Sequence, residues 1–270
     1  MKLGLGLSLT GMQRRRDTLD TFAALMSTLG EGAAQLIAHP LEYGSMFQDR
    51  AGTTPVTESG QLVGHVLDAG GGDFHATAVS DAARGIFRDV GGFRYIEYNG
   101  VNTAYQTPVL PAPGVDKAQV FAGVRMLSDL TEIIAELSTT STGNQGVLAL
   151  FTASSTYRFR SRGTSTSDTQ SASLPAPRSN IATGLGDISG DSAILRIDGA
   201  QVAQSTGDQG AGNYNSDGSY RLYFGARAGT SLFFNGRHYA TPVPIVRFGT
   251  NATAAQIEAA EAYYTARTDL

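Results

Sequence analysis

One pattern repeats through the middle of this 270-residue chain: short runs rich in β-branched and aromatic residues, separated by Gly, Asn, Asp and Pro at fairly even spacing. Such punctuation is typical of a β-sandwich or barrel. Residues 131–137 also fit a helix by pattern alone, but their neighbours favour a strand. The predicted strands are Tyr95–Tyr98, Gln119–Leu127, Ile133–Leu137, Gly146–Thr152, Thr156–Arg162, Asn180–Leu185, Ser192–Ile197, Gln201–Ser205 and Tyr220–Ala226.

The C-terminal fifth of the chain gives the clearest local order. A strand ends at Ala226 and the small-residue turn Arg227–Thr230 follows. Asn235-Gly236 is a dipeptide that accepts positive φ, so it predicts a tight hairpin after the strand Ser231–Phe234. The segment Tyr239–Phe248 is then expected to be one extended run, although Pro residues interrupt it.

A convincing amphipathic helix is predicted over Asn251–Arg267. Thr253 is a candidate N-cap, and Gln256 stands three residues later, as in a capping box. Helical spacing predicts that Ala254, Ile257 and Tyr264 pack against the sheets.

The N-terminal region has a different character. Residues 1–12 alternate Leu with Gly or Ser, as in a weak strand that would add to another subunit's sheet. Residues 17–29 predict a helix with one apolar face, and Ala33–His39 predicts a second short helix. Contacts with a second copy or with another protein are expected from Leu3, Leu5, Leu7, Leu9, Phe22 and Met26.

Composition argues against several classes of protein. Charged residues make up 16%, below the usual quarter, while Gly is abundant at 33 residues, which favours turn-rich β structure. The net charge of −4 gives no footprint for nucleic acid. The apolar run Leu3–Met12 is too short to span a bilayer, and its basic residues follow it, so neither membrane insertion nor a signal peptide is expected. Without Cys, thiolate chemistry is excluded.

Three phrases of the sequence resemble one family. They are LYFGARAGTSLFFNGRHYATPVPIVRFGTNATAAQIEAAEAYYTART near the end, SMFQDRAGTTPVTESGQLVGHVLDAGGGDFHATA at Ser45–Ala78, and YIEYNGVNTAYQTP at Tyr95–Pro108. Together they resemble laminin-G-like, concanavalin-type jelly-roll domains of virion proteins from tailed phages, prophages and gene transfer agents.

The resemblance implies an all-β, concanavalin-like antiparallel β-sandwich with a short N-terminal arm and helix and a C-terminal helix. We expect residues 1–32 to form the attachment arm and residues 33–270 the sandwich. It further implies a homo-oligomeric spike or fibre component on the particle surface, bound to other virion proteins and to host surface polysaccharide. A purely structural spike base and a polysaccharide depolymerase are the alternatives.

A polar loop is the best candidate for holding a glycan. Sugars are bound by aromatic faces together with amides and carboxylates, and the Gly-rich stretch Thr206–Ser219 supplies both types. An ordinary Asn/Gly-rich connection is the competing interpretation. The candidate glycan-binding residues are Asn213, Tyr214, Asn215, Asp217 and Tyr220.

Other chemistry has weaker support in the sequence. Glu132 and Glu136 would share a face of a regular strand, but no Glu-x-Asp-x-x-Glu motif accompanies them, so we expect no catalysis. The four His residues lack close metal-ligand spacing. No cofactor is expected, although calcium on loop carboxylates stays open. The candidate pairs are Asp68 with Asp73 and Asp187 with Asp191.

Overall fold

Nineteen strands, two α-helices and one 3₁₀ helix (Asp81–Ala83) make up the computed structural model, which describes residues 21–138, 148–216 and 218–270. Helix α1 covers 21–30 and helix α2 covers Ala254–Thr265. The strands are β1 (Ala33–Ile37), β2 (Met46–Phe47), β3 (Leu62–Val63), β4 (His65–Val66), β5 (Ala76–Ala78), β6 (Gly85–Val90), β7 (Phe93–Asn99), β8 (Tyr105–Gln106), β9 (Lys117–Met126), β10 (Glu132–Ser138), β11 (Leu148–Ala153), β12 (Thr156–Arg162), β13 (Thr166–Gln170), β14 (Arg178–Asp187), β15 (Ser192–Ile197), β16 (Ala200–Ser205), β17 (Arg221–Phe224), β18 (Asn235–Tyr239) and β19 (Ile245–Gly249).

These strands form two antiparallel sheets. The ten-stranded sheet has the order β16-β15-β14-β9-β18-β7-β6-β3, and β19 joins it by pairing with both β9 and β1. The nine-stranded sheet has the order β13-β12-β11-β10-β17-β8-β5-β4-β2. The predicted all-β antiparallel sandwich with a helix before it and a helix after it is therefore confirmed.

The main core lies between the two sheets. Its aromatic side chains, among them Tyr105, Phe159 and Phe234, are fully buried. Full burial of one such side chain stabilises the fold by roughly 1.5–3 kcal/mol. A second core, on the outer side of the ten-stranded sheet, contains Phe22 and Leu29 of α1 and Tyr264 of α2. Both helices therefore cover the same sheet.

The capping box of α2 forms as predicted and also holds α1. Thr253 Oγ1 accepts from the Gln256 backbone N–H at 3.3 Å, and Gln256 Oε1 accepts from the Thr253 N–H at 2.9 Å. The Gln256 amide then donates to the Thr28 carbonyl at 2.8 Å and to the Glu31 carbonyl at 3.0 Å. Of the predicted packed stripe, Tyr264 is buried and Ile257 half-buried, but Ala254 is exposed.

Arg247 of β19 completes this attachment of α1. Its guanidinium is fully buried and donates to the carbonyls of Leu29 at 2.8 Å and Glu31 at 2.6 Å. A third bond runs from Nη1 to Gln119 Oε1 at 2.6 Å. A cation at the carbonyl end of a helix satisfies orphan acceptors and complements the helix dipole.

Phe22 was expected to contact another protein, and the structure corrects this. Its side chain is 5% exposed and lies 5.7 Å, centroid to centroid, from the Tyr263 ring of α2. Met26 is half-buried against the same cluster. The predicted contacts at Leu3, Leu5, Leu7 and Leu9 lie outside the described residues, and the division of the chain at residue 32 stays a prediction.

Three local predictions were wrong. Ala33–His39 contains β1 rather than a helix, because pairing with β19 buries Leu36 and Ile37. Asn235-Gly236 begins β18 instead of forming a turn. Strand β9 approaches so closely that a Cβ at Gly236 would lie 2.2 Å from the Arg125 carbonyl oxygen, so Gly is needed here for strand pairing. The polar stretch 164–177, which lay outside the predicted strands and was expected to be a loop, contains β13, whose Ser167 and Thr169 face inwards.

Candidate functional site

The outer face of the nine-stranded sheet carries one continuous row of side chains. Directly paired residues of antiparallel strands point to the same side, so the register traces the row across all nine strands. The neighbouring row, through Phe159, Leu150 and Phe224, faces the main core. We call the outer residues the outer row: Asp168, Arg160, Ala149, Glu136, Tyr223, Gln106, Thr77, His65 and Phe47.

At the centre of the outer row, a buried carboxylate has an unused oxygen. Glu136 is 2% exposed, and its Oε2 accepts from Arg227 Nε at 3.3 Å. Glu136 Oε1 is buried with no hydrogen-bond partner among the described residues. Burial raises the pKa of Glu136, and the neighbouring Ser138 hydroxyl and Arg227 guanidinium partly offset that rise. The neighbouring Tyr223 ring is also buried.

Three arginines project from β12 beside this centre. Arg158, Arg160 and Arg162 alternate along the strand with the inward-facing Tyr157, Phe159 and Ser161. We call the three the arginine ladder. The alternating Arg-x-Arg-x-Arg pattern was visible in a segment correctly predicted as a strand, but sequence reasoning did not single it out as a site.

The members of the arginine ladder differ in how they are bonded. Arg160 forms a bidentate pair with Asp168 of β13, with both N···O distances 2.7 Å. Its guanidinium also lies 5.8 Å from the centre of the Phe151 ring. Arg158 Nε is buried and has no hydrogen-bond partner among the described residues. The ladder thus contains one satisfied guanidinium next to one with an unused donor.

Three histidines cluster near the Phe47 end of the outer row, although they lie far apart in the sequence. His65 Nδ1 is 3.1 Å from Thr77 Oγ1, and the His65 and His75 rings are 5.2 Å apart. His39 is buried beneath them, with Nε2 3.0 Å from the Phe74 carbonyl oxygen. Burial lowers the pKa of His39 to about 4, so this imidazole is neutral at neutral pH.

The predicted glycan loop serves the core instead. Tyr214 is fully buried, its hydroxyl lies 2.6 Å from Ser161 Oγ, and a Cβ at Gly186 would collide with it. Asn215 is 1% exposed, because its amide donates to the Leu110 carbonyl at 3.0 Å and accepts from the Tyr220 N–H at 2.9 Å. Neither side chain can contact a sugar in this structure, which corrects the prediction for both.

The remaining residues of that loop are dispersed. Asn213 is exposed, and Tyr220 is half-buried against the main core. Asp217 lies outside the described residues. Tyrosine at 214 misled the sequence reasoning because its apolar ring and polar hydroxyl suit an interior position as well as a sugar platform.

The glutamate pair is split by a β-bulge. Glu132 pairs with Thr152, and Glu136 pairs with Ala149, but the register shifts between Ile133 and Ala135. One extra residue reverses the alternation, so Glu132 points to the inner side while Glu136 stays in the outer row. Glu132 Oε2 accepts from the Asn235 backbone N–H of the other sheet at 3.1 Å. The prediction that the two share a face was wrong.

The candidate calcium ligands have other roles. Asp68 accepts from the backbone N–H groups of Ala38, Gly70, Gly72 and Phe74, and so closes the glycine loop. Asp187 lies 3.2 Å from Lys117 Nζ. Its other oxygen accepts from the Asn251 amide at 2.7 Å, and Asp191 Oδ1 accepts from the Gln209 N–H. Asp73 is exposed. Within the described residues, no group of three or more His, Asp or Glu side chains is placed to hold a metal ion.

No helix in the described part of the chain is long and apolar enough to cross a membrane. The sequence matches no protein-family model and no curated protein.

Solved structures share the fold at low sequence identity. The receptor-binding domain of botulinum neurotoxin type G superposes with a TM-score of 0.52 at 13% identity, covering 87% of this chain and 51% of that one. The sialidase of Trypanosoma rangeli, solved with 2,3-difluorosialic acid, gives 0.56 at 12% identity, covering 97% and 40%. Domain 4 of the arabinanase AbnA from Geobacillus stearothermophilus, solved with arabinotriose, gives 0.54 at 11% identity, covering 76% and 100%.

This chain therefore spans about half of the neurotoxin domain and less than half of the sialidase. At such identities the likeness establishes the β-sandwich fold.

Proposed function

We propose that this protein is a non-catalytic glycan-binding β-sandwich and that the outer row is its binding face. The observation that carries the proposal is the row itself: exposed or half-buried polar, charged and aromatic side chains lie on both sides of a buried centre, while α1 and α2 pack on the other sheet. Sugar-binding surfaces combine such apolar and polar groups. The sugar-bound arabinanase domain has the same fold, which adds support by analogy.

The proposal assigns no hydrolysis to the pair of glutamates. Glycoside hydrolysis by two carboxylates requires both groups to flank one scissile bond. Glu132 and Glu136 point to opposite sides of β10, and Glu132 is engaged by Ser128 and by the Asn235 backbone. A binding role fits this placement better than a depolymerase role.

We further propose the biological setting that the sequence resemblance implies. The protein would be a homo-oligomeric spike or fibre component on a phage or gene-transfer particle, bound to other virion proteins and attaching the particle to host surface polysaccharide. A spike base without glycan affinity is the second candidate, favoured by the apolar alternation of residues 1–12. Deleting residues 1–20 should then abolish incorporation into particles, while outer-row variants remain infective.

Binding of the purified chain to host-surface polysaccharides tests the proposal. The double variant His65→Ala/Gln106→Ala removes two half-buried side chains of the outer row and should weaken binding about tenfold, with no release of oligosaccharides. Gln204→Ala, an exposed amide on the edge strand β16, is the matched control and should leave binding unchanged. Equal binding by all three proteins would remove the outer row as the site, and no binding to any polysaccharide would favour the spike base.

A further inference from the structure

We infer that the glycan held by the outer row is acidic and that the arginine ladder binds its carboxylate groups. This inference rests on the proposed function and names its ligand class. It is carried by the spacing, bonding and local charge of the ladder.

The ladder is long enough to meet more than one anionic group. Alternate residues of a strand lie about 6.8 Å apart, so Arg158 and Arg162 are separated by about 13–14 Å along β12. A single carboxylate cannot reach across that distance. A polysaccharide with a charge on successive or alternating sugars can contact several rungs at once.

The Arg160–Asp168 pair shows how the ladder can bind a carboxylate. Arg160 already holds the Asp168 carboxylate through two parallel N–H···O bonds, which is the geometry that a guanidinium offers to any carboxylate. Arg158, two residues away on the same face, has a buried Nε donor without a partner among the described residues. Arg158 as a whole is half-buried, so a sugar carboxylate can meet the accessible part of its guanidinium and repeat the pairing made by its neighbour.

The charge of the face is opposite to that of the chain. The whole protein carries −4, yet the carboxylates aligned with the ladder in the register are Asp168, which Arg160 neutralises, and Glu136, which Arg227 engages. A local cationic strip on an acidic protein favours ligands whose charge is spaced out. A densely charged polyphosphate would be repelled by the remaining surface.

The apolar neighbours of the ladder support its guanidinium groups. Phe151 pairs in register with Arg158 and lies beneath the Arg160 guanidinium, and Ala149 pairs with Arg160. Both are buried, so they hold the arginine side chains above the sheet and leave the guanidinium groups to meet the carboxylate of a uronic acid.

Three polyuronates, namely polygalacturonate, alginate and polyglucuronate, each beside its carboxyl-reduced neutral derivative, provide the probes. We expect at least one acidic polymer to bind about tenfold or more tightly than its reduced form, with affinity falling as salt is raised. Arg158→Gln should weaken that binding about tenfold, and Arg158→Lys should retain part of it. Arg125→Gln is the control, since Arg125 also has a buried Nε without a partner among the described residues but lies on the outer face of the other sheet.

The outcomes separate the inference from the function beneath it. Equal affinity for acidic and reduced polymers, or binding of neutral polysaccharides only, would overturn the acidic ligand and leave glycan binding intact. Binding of dextran sulfate but of no polyuronate would identify a general anion surface and also overturn it. Binding to none of the acidic or neutral polymers would reject both the inference and the proposed function. Circular dichroism of each variant checks folding.

Discussion

The strands of both sheets alternate inward-facing and outward-facing side chains, but the two outer faces of the sandwich differ in whether helices cover them. On the ten-stranded sheet, Phe121, Gly123 and Ile181 face outwards, and the aromatic side chains of α2 pack onto them. On the nine-stranded sheet, the corresponding positions of β12 are arginines, and the two helices leave them uncovered. Apolar or absent side chains of β9 and β14 thus carry the helices, whereas the charged side chains of β12 face outwards with no helix over them.

The polar groups on the two faces also differ. Arg196 of β15 donates to both carboxylate oxygens of Glu261 in α2, at 2.8 and 3.0 Å. On the outer face of the nine-stranded sheet, Glu136 Oε1 and Arg158 Nε lack partners among the described residues, as Arg125 Nε and Arg237 Nε do on the other sheet. The faces differ in the Arg196–Glu261 pair, which fastens α2 to its sheet, whereas each unused donor or acceptor costs stability that a ligand can recover.

Deleting one aromatic ring from each face should give the largest contrast. Tyr264→Ala removes a fully buried ring and its hydroxyl contact with Thr241 at 2.8 Å, so the free energy of unfolding should fall by about 3–5 kcal/mol. Phe47→Ala, at the half-buried end of the outer row, should cost about 1 kcal/mol. Urea denaturation measures both. Equal losses would show that the two faces contribute alike to stability.

Cutting the link between α1 and β19 tests whether the helix belongs to the covered face. Arg247→Met removes the guanidinium donor from the Leu29 carbonyl and from Gln119 Oε1, and it leaves the Glu31 carbonyl with the Gln256 amide alone, so stability should fall by about 2–4 kcal/mol. Amides within 21–30 should then exchange hydrogen faster than those of α2. Unchanged exchange in 21–30 would mean that the apolar contacts of α1 suffice without Arg247.

Acid should destabilise the interior that the two faces share. His238, fully buried between the sheets with its ring centre 4.5 Å from that of Tyr98, has a pKa lowered by burial to about 3. Because the unfolded chain takes up a proton near pH 6.5 and the folded chain does not, stability should fall below about pH 6.5, by about 1.4 kcal/mol per pH unit for each such histidine. The buried His39 adds to this slope down to about pH 4, where it protonates in the folded state.

Chemical denaturation between about pH 7 and about pH 5 measures that slope, and His238→Phe should make it shallower. Phe fits because the His238 ring also contacts the Phe234 ring and its Nε2 has no partner among the described residues. Identical slopes for the variant and the natural protein would exclude His238 as a source of the acid sensitivity.

The smallest expected effect compares two buried glutamates. Glu136→Gln in the outer row should change stability by less than about 1 kcal/mol, since burial already disfavours its ionised form. Glu261→Gln on the covered face breaks a bidentate pair and should cost about 1–2 kcal/mol. The comparison fails if Glu136→Gln proves the more damaging of the two in urea denaturation.

Local patterns predicted much of the fold but little of the site. Strands β12 and β15 were predicted to the residue, because each alternates cleanly and is bounded by turns. The capping box of α2 was also found, since its signal lies within four residues. β1 was missed because it exists only through pairing with β19, more than two hundred residues away.

The outer row could not be predicted for a related reason. Its members come from nine strands. Eight of these strands lie between Phe47 and Asp168 in the sequence, and the ninth contains Tyr223, so only the register brings the members together. The bulge in β10, which separates Glu132 from Glu136, has no Gly or other sequence marker. The Asn235-Gly236 signal was a true local preference overruled by the close approach of β9.

The clamp of Arg247 on α1 has a mechanical consequence. A pull on the chain ahead of α1 is passed through the Leu29 and Glu31 carbonyls to β19, and β19 is bonded to the long central strand β9 rather than lying at an edge. Tension therefore enters the sandwich at its middle, where many backbone bonds share it. A force applied to the chain before α1 should therefore leave α1 bound to the sandwich, and the outer row should keep its geometry while the force acts.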